Sequence, residues 1–432
     1  MNQSNTISST SNLKKEKAPV KKLRLLSLDC LRGFDMFWII GGEGVVHGLA
    51  KATNPAGWTK IFHMLSSELH HSVWNGFTFY DLIFPLFIFI SGVTMPFSFD
   101  SYFRLDNTVF KNKQKKKIYF SLLKRTLLLI LLGMVVNGDL AFNAYSDTRF
   151  ASVLARIAIA CFFAAVIYLN FSWRKCVIWF FAILVFYWLL MCYVPVPNFG
   201  RAVLTPSGNL AAYIDRNWLP GKLHRTVYDP EGLLSNLPAI CTALLGIFTG
   251  IFLKSEQVFG DQNVQPHYLT TGLMKAVSLF AAGILSLVLG LLWEKYLYFP
   301  INKNMWTSSF VLFAGGWSLI LISVFYLVID VLVFRDSNSH SINTDVQTQE
   351  SKWGKFIRKC CLPFVWIGMN SIFIYVSVHG GIDFESSSHY LFDGIIKNVP
   401  PAFYSTMHWI GVLIIEMVLL RWMYKMKLFI KL

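Results

Sequence analysis

Long apolar segments dominate this chain and restrict it to a membrane environment. A membrane-spanning helix needs roughly 20 mostly apolar residues, and ten segments of that kind follow one another along the sequence. With 54% hydrophobic and only 15% charged residues, the composition excludes an ordinary soluble domain. We therefore predict an all-α polytopic membrane bundle of about ten helices, near residues 30–49, 81–99, 118–137, 151–170, 175–194, 233–253, 271–293, 308–333, 362–378 and 401–423.

The distribution of basic residues predicts how the bundle is oriented. Most of the 39 Lys and Arg residues lie in the N-terminal tail, in every second loop and in the C-terminal tail, with dense runs at 14–24 and 111–117. By the positive-inside rule, this pattern places both termini in the cytoplasm. Topology and attraction to anionic membrane lipids explain the net charge of +15 better than nucleic acid does, so we expect no nucleic-acid partner.

The chain divides into a tail and one membrane domain. Residues 1–26 are predicted to form a disordered, basic cytoplasmic tail, and residues 27–432 a single transmembrane domain. Two connections are long: an outer loop at 195–232 and a cytoplasmic linker at 335–359. The seven cysteines show neither a disulfide framework nor metal-ligand spacing, so we expect no metal.

A polar cluster immediately before the second span is the strongest candidate for chemistry. It contains His71, Trp74, Asn75 and Asp81. An imidazole can take a proton from an amine near neutral pH, an indole can stack on a sugar ring, and an amide can hold a carbonyl oxygen. The alternative interpretation is an interfacial belt with a helix start. On chemistry alone, His70 is an equal candidate to His71.

The first predicted span carries charged residues that hydrocarbon penalises. Arg32 lies three residues from both Asp29 and Asp35, on neighbouring helical turns, and either carboxylate can neutralise it. Glu43 has no basic partner nearby in sequence, so burying it in a span is costly. Two explanations are equally favoured: a role in a functional site, or a hydrogen bond to a neighbouring helix.

Further candidate residues are spread along the chain. An acidic Asp-Pro-Glu-Gly string precedes the sixth span, a polar string precedes the eighth, and an amide lies within the ninth, where helix packing is the favoured explanation. The candidate substrate-binding residues are those of these three strings, together with Trp74 from the cluster above. The three strings contribute Asp229, Glu231, Asn302, Lys303, Trp306 and Asn370.

Several strings, in order along nearly the whole chain, resemble the heparan-alpha-glucosaminide N-acetyltransferase family of transmembrane acetyltransferases and its bacterial members. They are SLDCLRGFDM, HSVWNGFTFYDLIFPLFIFISG, SVLARIAIA, YDPEGLLSNLP, PINKNMWTSSFVL, PFVWIGMNSIFIYV and WMYKMKLFIKL. The resemblance implies a bundle that takes an acetyl group from acetyl-CoA and delivers it to the amino group of a terminal glucosamine. The family's proposed catalytic histidine lies three residues before Trp-Asn-Gly, which is His71 here. An asparagine of the family is replaced by Glu43, so its role does not transfer directly.

The resemblance also poses a physical problem, since acetyl-CoA is cytosolic and the histidine is predicted to face outward. We expect the pantetheine arm to pass between helices, with Arg32, Lys124 or Arg125 near the phosphates. His71 acts either as a general base or as an acetyl-carrying nucleophile, and an amide such as Asn75 or Asn370 stabilises the oxyanion.

The setting and the competing functions are also open at this point. The lysosomal enzyme's luminal domain and additional N-terminal span are not expected in this chain, which favours a bacterial inner membrane. The sequence leaves open whether the bundle is a homodimer. An O-acyltransferase of envelope glycans and a transporter of sugars or anions are the competing functions.

Overall fold

The part of the chain that the structure describes is mainly α-helical. The computed structural model describes residues 25–54, 56–104, 108–138, 144–255, 268–333 and 352–430, in which three isolated β-bridges are the only extended pairings. The helices are α1 Leu26–Phe37, α2 Glu43–Ala52, α3 Lys60–Glu68, α4 Phe79–Ser98, α5 Asp100–Phe103, α6 Thr108–Val136, α7 Val153–Asn170, α8 Trp173–Tyr193, α9 Leu210–Trp218, α10 Asn236–Lys254, α11 Tyr268–Leu297, α12 Ser308–Phe325, α13 Lys352–Met369, α14 Ser371–Gly380, α15 Phe384–Ile396 and α16 Tyr404–Lys425.

The lengths and composition of these helices confirm a polytopic membrane bundle. Among the described residues, eight helices are long and apolar enough to cross a membrane: α4, α6, α7, α8, α10, α11, α12 and α16. The pair α13 and α14 passes the same test but is bent by 66° at the residue between them, which gives up to nine spans.

The first predicted span, at 30–49, is divided into two helices. Helices α1 and α2 are separated by the irregular segment Trp38–Gly42, within which Gly41 has φ +140°. That backbone conformation is accessible to glycine and strained for residues with a Cβ. The residues of this predicted span are therefore helical, with a break at Gly41 that periodicity alone does not reveal.

Helix α4 is, with α10, one of the two most buried spans, and it positions the candidate site at its first turn. It packs closely against α10: a Cβ on Gly92 would lie 2.2 Å from the carbonyl oxygen of Ala243, and one on Gly246 would lie 2.1 Å from that of Phe89. Glycine at both positions lets the two backbones touch. The polar residues just before α4 are thus attached to one of the most buried helices.

Of the two long connections, the structure describes the outer loop in full and the linker only in part. The loop at 195–232 contains α9 and packs through Val196 and Leu210 on Tyr187 of α8 and on Phe299. Residues 335–351 of the predicted linker, and residues 1–24 of the predicted tail, lie outside the described residues. Residues 352–359 of the linker are already helical in α13.

Candidate active site

The loop between α3 and α4, residues 69–78, is held in place by the first turn of α4; we call it the histidine loop. Thr78 and Asp81 form a reciprocal capping box at the start of α4. The Thr78 hydroxyl donates to the carbonyl oxygen of His70 at 2.6 Å, and the Ser72 backbone N–H donates to Asp81 Oδ2 at 3.2 Å. The carboxylate that starts the helix therefore also shapes the loop.

Asp81 orients the imidazole of His71. Nδ1 of His71 lies 2.9 Å from Asp81 Oδ1, and the carboxylate is buried while the His71 side chain is 55% exposed. An ionised Asp81 accepts the Nδ1 proton, which leaves Nε2 with its lone pair. The pair therefore has the arrangement of an oriented general base, with the reactive nitrogen able to meet a substrate.

Lys303 joins this pair from a distant part of the chain. Its Nζ lies 3.4 Å from Asp81 Oδ1 and 3.1 Å from His71 Nδ1. Because Nδ1 of His71 donates to Asp81, the ammonium pairs with the carboxylate rather than with the ring. Burial lowers the pKa of Lys303, while the carboxylates of Asp81 and Glu231 act in the opposite direction.

Two asparagines connect the loop of Lys303 to the histidine loop. The buried Asn302 donates from Nδ2 to the Trp74 carbonyl oxygen at 2.8 Å and to Asn75 Oδ1 at 3.0 Å. The Gly76 backbone N–H donates to the carbonyl oxygen of Ile301 at 2.9 Å. Asn75 and Asn302, predicted as catalytic and substrate-binding residues, thus hold the two loops in register.

A second charged group lies beside the first. Arg149 donates to Asp229 Oδ1 at 2.7 Å and to Glu231 Oε2 at 2.5 Å. Burial alone would lower the pKa of Arg149, but the two carboxylates outweigh it and raise that pKa. Arg149 in turn outweighs the effect of burial on Asp229 and lowers the pKa of that carboxyl. The group is therefore a cluster in which one guanidinium pairs with two carboxyl groups.

Two cavities of different character meet at His71. A cavity of about 260 Å³, which we call the polar cavity, is lined mainly by charged and polar side chains: His71, Ser72, Val73, Asp81, Arg149, Val153, His224, Arg225, Tyr228, Pro230, Glu231, Lys303 and Asn304. A cavity of about 230 Å³, the apolar cavity, is lined mainly by side chains of α1, α4, α7 and α14: Met36, Ile39, His71, Tyr80, Ile83, Phe84, Phe87, Val153, Leu154, Ile157, Glu231, Lys303, Ile372, Tyr375 and His379. The residues common to both are His71, Val153, Glu231 and Lys303.

Glu43 reaches this site through a tyrosine. The carboxylate of Glu43 is hydrogen-bonded to the hydroxyl of Tyr80, and the Tyr80 ring lies 4.8 Å, centroid to centroid, from the His71 ring. Glu43 itself lines neither cavity. The structure therefore places it one residue away from His71 rather than beside the reacting groups.

Three other predicted substrate-binding residues line neither cavity and are held by structural hydrogen bonds. Trp74 donates from its indole N–H to the carbonyl oxygen of Leu204 at 2.9 Å. Trp306 is fully buried and donates to Thr242 Oγ1 at 3.2 Å. Asn370, at the break between α13 and α14, bonds the backbone of Leu428 and Ile430 in the C-terminal segment.

The three residues predicted to hold CoA phosphates lie elsewhere. Arg32 pairs with Asp29 at 3.8 Å, and Lys124 and Arg125 are exposed on α6. None of them lines the polar or the apolar cavity, and their phosphate-binding role stays a prediction. Among the described residues, no group of three or more His, Cys, Asp or Glu side chains has the geometry to hold a metal ion.

Sequence reasoning missed three aromatic or imidazole side chains of the apolar cavity: Tyr80, Tyr375 and His379. Tyr80 directly precedes Asp81 in the sequence, so its position beside a candidate residue could have indicated it. Tyr375 and His379 lie four residues apart, on one face of α14, and their rings stack with centroids 4.7 Å apart. No sequence pattern indicated that this face lines the same cavity as His71.

Comparison with known proteins agrees with the motifs. The chain is 27% identical to the heparan-alpha-glucosaminide N-acetyltransferase of Mus musculus over 363 residues, which are 71% of this chain and 48% of that protein. It is also 27% identical to the Homo sapiens protein of the same name over 359 residues, with the same shares covered. The resemblance to this family is confirmed. No family model matches the chain, and the chain spans about half the length of these N-acetyltransferases.

Proposed function

We propose that this protein is a membrane-embedded N-acetyltransferase that moves an acetyl group from acetyl-CoA to the amino group of a glucosamine-type sugar. The observation that carries the proposal is the junction of the polar and apolar cavities at His71. The names of the two curated relatives support the same reaction. We assign the sugar to the polar cavity and the acetyl-bearing end of the pantetheine arm to the apolar cavity.

The reaction starts with the amino group of the sugar. Nε2 of His71 takes a proton from the sugar ammonium, and the amine attacks the thioester carbonyl carbon to form the new C–N bond. The C–S bond then breaks, the imidazolium returns a proton to the CoA thiolate, and one further proton is released to solvent. Asp81 fixes the ring and stabilises the imidazolium that forms.

Lys303 is placed to stabilise the negative charge that develops on the thioester oxygen. Its Nζ lies within 3.5 Å of both ring nitrogens of His71, so it is adjacent to any group that meets Nε2. A fixed cation at a developing oxyanion lowers the barrier because it needs no reorganisation during the reaction. This role replaces the amide role that we expected for Asn75 and Asn370.

Two courses of transfer remain to be separated by experiment. Direct attack needs both reactants at once, which two adjoining cavities allow and which benefits from proximity. Transient acetylation of His71 would instead give ping-pong kinetics. We favour direct transfer, which predicts intersecting double-reciprocal lines in a two-substrate analysis and no acetyl label trapped on His71.

The test of function is transfer of label from acetyl-labelled acetyl-CoA to glucosamine-terminated saccharides by purified protein. We expect the label in an amide product, and His71→Ala to reduce turnover by about 10²-fold to 10⁴-fold, the usual effect of losing acid or base assistance. His389→Ala is the matched control, because that side chain is 62% exposed on α15 and lines neither cavity. Near-normal turnover in His71→Ala would remove His71 from the mechanism.

Two related assays distinguish the competing functions. Label in an ester of neutral sugars would indicate an O-acyltransferase, and uptake of unmodified sugar into proteoliposomes without acetyl-CoA would indicate a transporter. Acetyl-CoA supplied only inside or only outside the vesicles tests the predicted orientation, in which both termini and the donor lie on the cytoplasmic side of a bacterial inner membrane.

A further inference from the structure

Glu231 lies where the polar and apolar cavities meet, and the proposed reaction does not use it. It is one of four residues that line both cavities; the others are His71, Val153 and Lys303. His71 and Lys303 already have roles in the proposed reaction, and Val153 has no polar side-chain atom. Glu231 is therefore the remaining group at this junction that can bind a polar ligand or accept a proton.

The Glu231 carboxylate is held in place through one of its two oxygens. Arg149 donates to Oε2 at 2.5 Å, and two further bonds tie the same guanidinium to Asp229. The backbone N–H of Glu231 donates to Asp229 Oδ1 at 2.9 Å, which fixes the turn. No donor in the described part of the chain bonds Glu231 Oε1, and this atom is not among the buried unpaired ones. It is therefore accessible to a ligand.

The other carboxylate of the polar cavity has its acceptors occupied. Of the described side chains that line this cavity, only those of Asp81 and Glu231 carry carboxyl groups. Asp81 Oδ1 faces the His71 ring and the Lys303 ammonium, and Oδ2 accepts N–H groups of the histidine loop. An acceptor amine that enters the polar cavity therefore finds its free carboxylate oxygen on Glu231.

The pairing of charges also favours Glu231 as the place for a cation. The single guanidinium of Arg149 faces two carboxyl groups, those of Asp229 and Glu231. The ammonium of Lys303, in contrast, has one carboxylate within 4 Å, that of Asp81. The group around Arg149 therefore has one more carboxyl group than cations.

Two other cations near this group do not pair with Glu231. Arg156 interacts electrostatically with Glu231, but its Nη2 donates to the Ser235 hydroxyl and the Gly232 carbonyl oxygen. Arg225 lines the polar cavity but is exposed to solvent, where salt screens its charge. Neither of them occupies the free oxygen of Glu231.

We propose that Glu231 selects an amine acceptor by binding its ammonium group through Oε1, and that it then takes the second proton that this group loses. The inference rests on the proposed acetyl transfer. A sugar ammonium has three N–H donors and a positive charge, and a charge-assisted bond to a carboxylate is stronger than a neutral hydrogen bond. A sugar hydroxyl has no such charge, so Glu231 favours transfer to nitrogen over transfer to oxygen.

The proton balance of the reaction defines the role of Glu231 during transfer. The sugar ammonium loses one proton to His71 before its nitrogen attacks the thioester carbon, and that proton later goes to sulfur as the C–S bond breaks. Formation of the C–N bond leaves two hydrogens and a positive charge on nitrogen. The nitrogen becomes that of a neutral amide only when a second proton leaves. Glu231 accepts this proton as a general base and passes it to solvent, which restores the carboxylate.

The test compares the binding of two sugars, methyl glucosaminide and methyl glucoside, which differ only in having an ammonium or a hydroxyl at one carbon. E231Q keeps the size of the side chain and removes its charge. We expect E231Q to lose about tenfold in affinity for methyl glucosaminide and less than about twofold for methyl glucoside. Isothermal titration calorimetry on the full chain in detergent, near neutral pH, measures both affinities. E385Q is the matched control, because Glu385 is exposed on α15 and lines neither cavity.

The binding measurement contains no acetyl-CoA, so its result does not depend on the transfer reaction. Equal affinity of E231Q and E385Q for methyl glucosaminide, or an equal loss for both sugars in E231Q, would overturn the proposal. E231D keeps the charge and covers the case in which E231Q does not fold. It should still bind methyl glucosaminide more tightly than methyl glucoside, and loss of that preference would contradict the ammonium site.

A kinetic arm tests the proton transfer. At saturating glucosamine, we expect E231Q to lower kcat about 10²-fold, as for loss of a general base, and to leave the KM for acetyl-CoA nearly unchanged. An unchanged kcat would overturn the role of Glu231 as a proton acceptor. Selective binding of methyl glucosaminide by a wild-type protein that transfers no label would instead contradict the proposed function and support the ammonium site.

Discussion

The polar and apolar cavities touch the same histidine but are built in different ways. Loops supply most of the charged wall of the polar cavity, which includes the ion pair of Arg149 and Glu231. Helices supply the wall of the apolar cavity, with Phe84 and Ile157 among its side chains. Loops bring charges together from distant parts of a chain, and helices fix a shape. In the proposed reaction, the hydrophilic sugar matches the charged cavity, and the slender pantetheine arm of the donor matches the apolar one.

Two buried carboxylates show that burial by itself does not mark a site. Asp81 accepts hydrogen bonds from His71 and Ser72 and borders the polar cavity. Glu416 of α16 is equally buried, but neither of its oxygens has a hydrogen-bond partner among the described residues, and it borders neither cavity. Burying a polar group without a hydrogen-bond partner is costly, and yet Glu416 is buried in this way. What distinguishes Asp81 as the functional carboxylate is therefore its hydrogen bonds and its position beside a cavity, not its burial.

Among residues that orient His71, we expect the substitution Asp81→Asn to have the largest effect on turnover. An amide still accepts hydrogen bonds from the loop, but it does not stabilise an imidazolium or enforce the Nδ1–H tautomer. We expect kcat to fall about 10²-fold with the KM for acetyl-CoA nearly unchanged. Steady-state kinetics on protein with a wild-type unfolding temperature checks this, and an unaltered kcat would show that Asp81 only caps α4.

A smaller effect is expected from filling the apolar cavity alone. Ile372 on α14 is half-buried and lines only this cavity. Ile372→Trp therefore places a bulky indole in the path assigned to the donor. We expect the KM for acetyl-CoA to rise about tenfold and the KM for the sugar to stay within twofold. Ile414→Trp is the control, because Ile414 is 46% exposed on α16. A selective rise in the sugar KM would reverse the assignment of the two cavities.

The smallest effect on turnover, but a measurable one on stability, is expected behind the polar cavity. Burial raises the pKa of Asp215 to about 6, above the value of about 3.9 in an unfolded chain. The resulting stability is fully present below about pH 4 and is lost as the pH rises through 6, a total of about 3 kcal/mol.

Asp215→Asn removes this titration while keeping an oxygen for the Leu233 backbone N–H, which donates to Asp215 Oδ1 at 2.8 Å. We expect the variant to unfold at a higher temperature than the wild type at pH 8 and at a similar temperature at pH 4. Thermal unfolding in detergent at both pH values checks this. A variant that is less stable at pH 8 would show that Asp215 is ionised in a favourable pairing.

The fold was largely predictable because membrane spans are read from length and composition, as for α4 and α10. Local motifs also predicted the neighbourhood of His71 and Asp81, since ten residues of one loop and one helical turn join them. The approach of Lys303 to His71 was not predictable, because the two residues are 232 positions apart in the chain. The burial of Trp306 and the break at Gly41 were not predictable either, because they depend on packing and on backbone geometry that a sequence pattern does not contain.

The measurement that tests the account most directly uses one bisubstrate compound, with the sulfur of CoA joined through an acetyl bridge to the nitrogen of glucosamine. Ile372→Trp and Asn304→Trp each enlarge a side chain that lines only one of the two cavities, apolar and polar respectively. If the cavities join at His71, the compound binds the wild type more tightly than CoA or glucosamine does, and each substitution weakens that binding. Unchanged affinity in either variant would contradict a continuous path through His71.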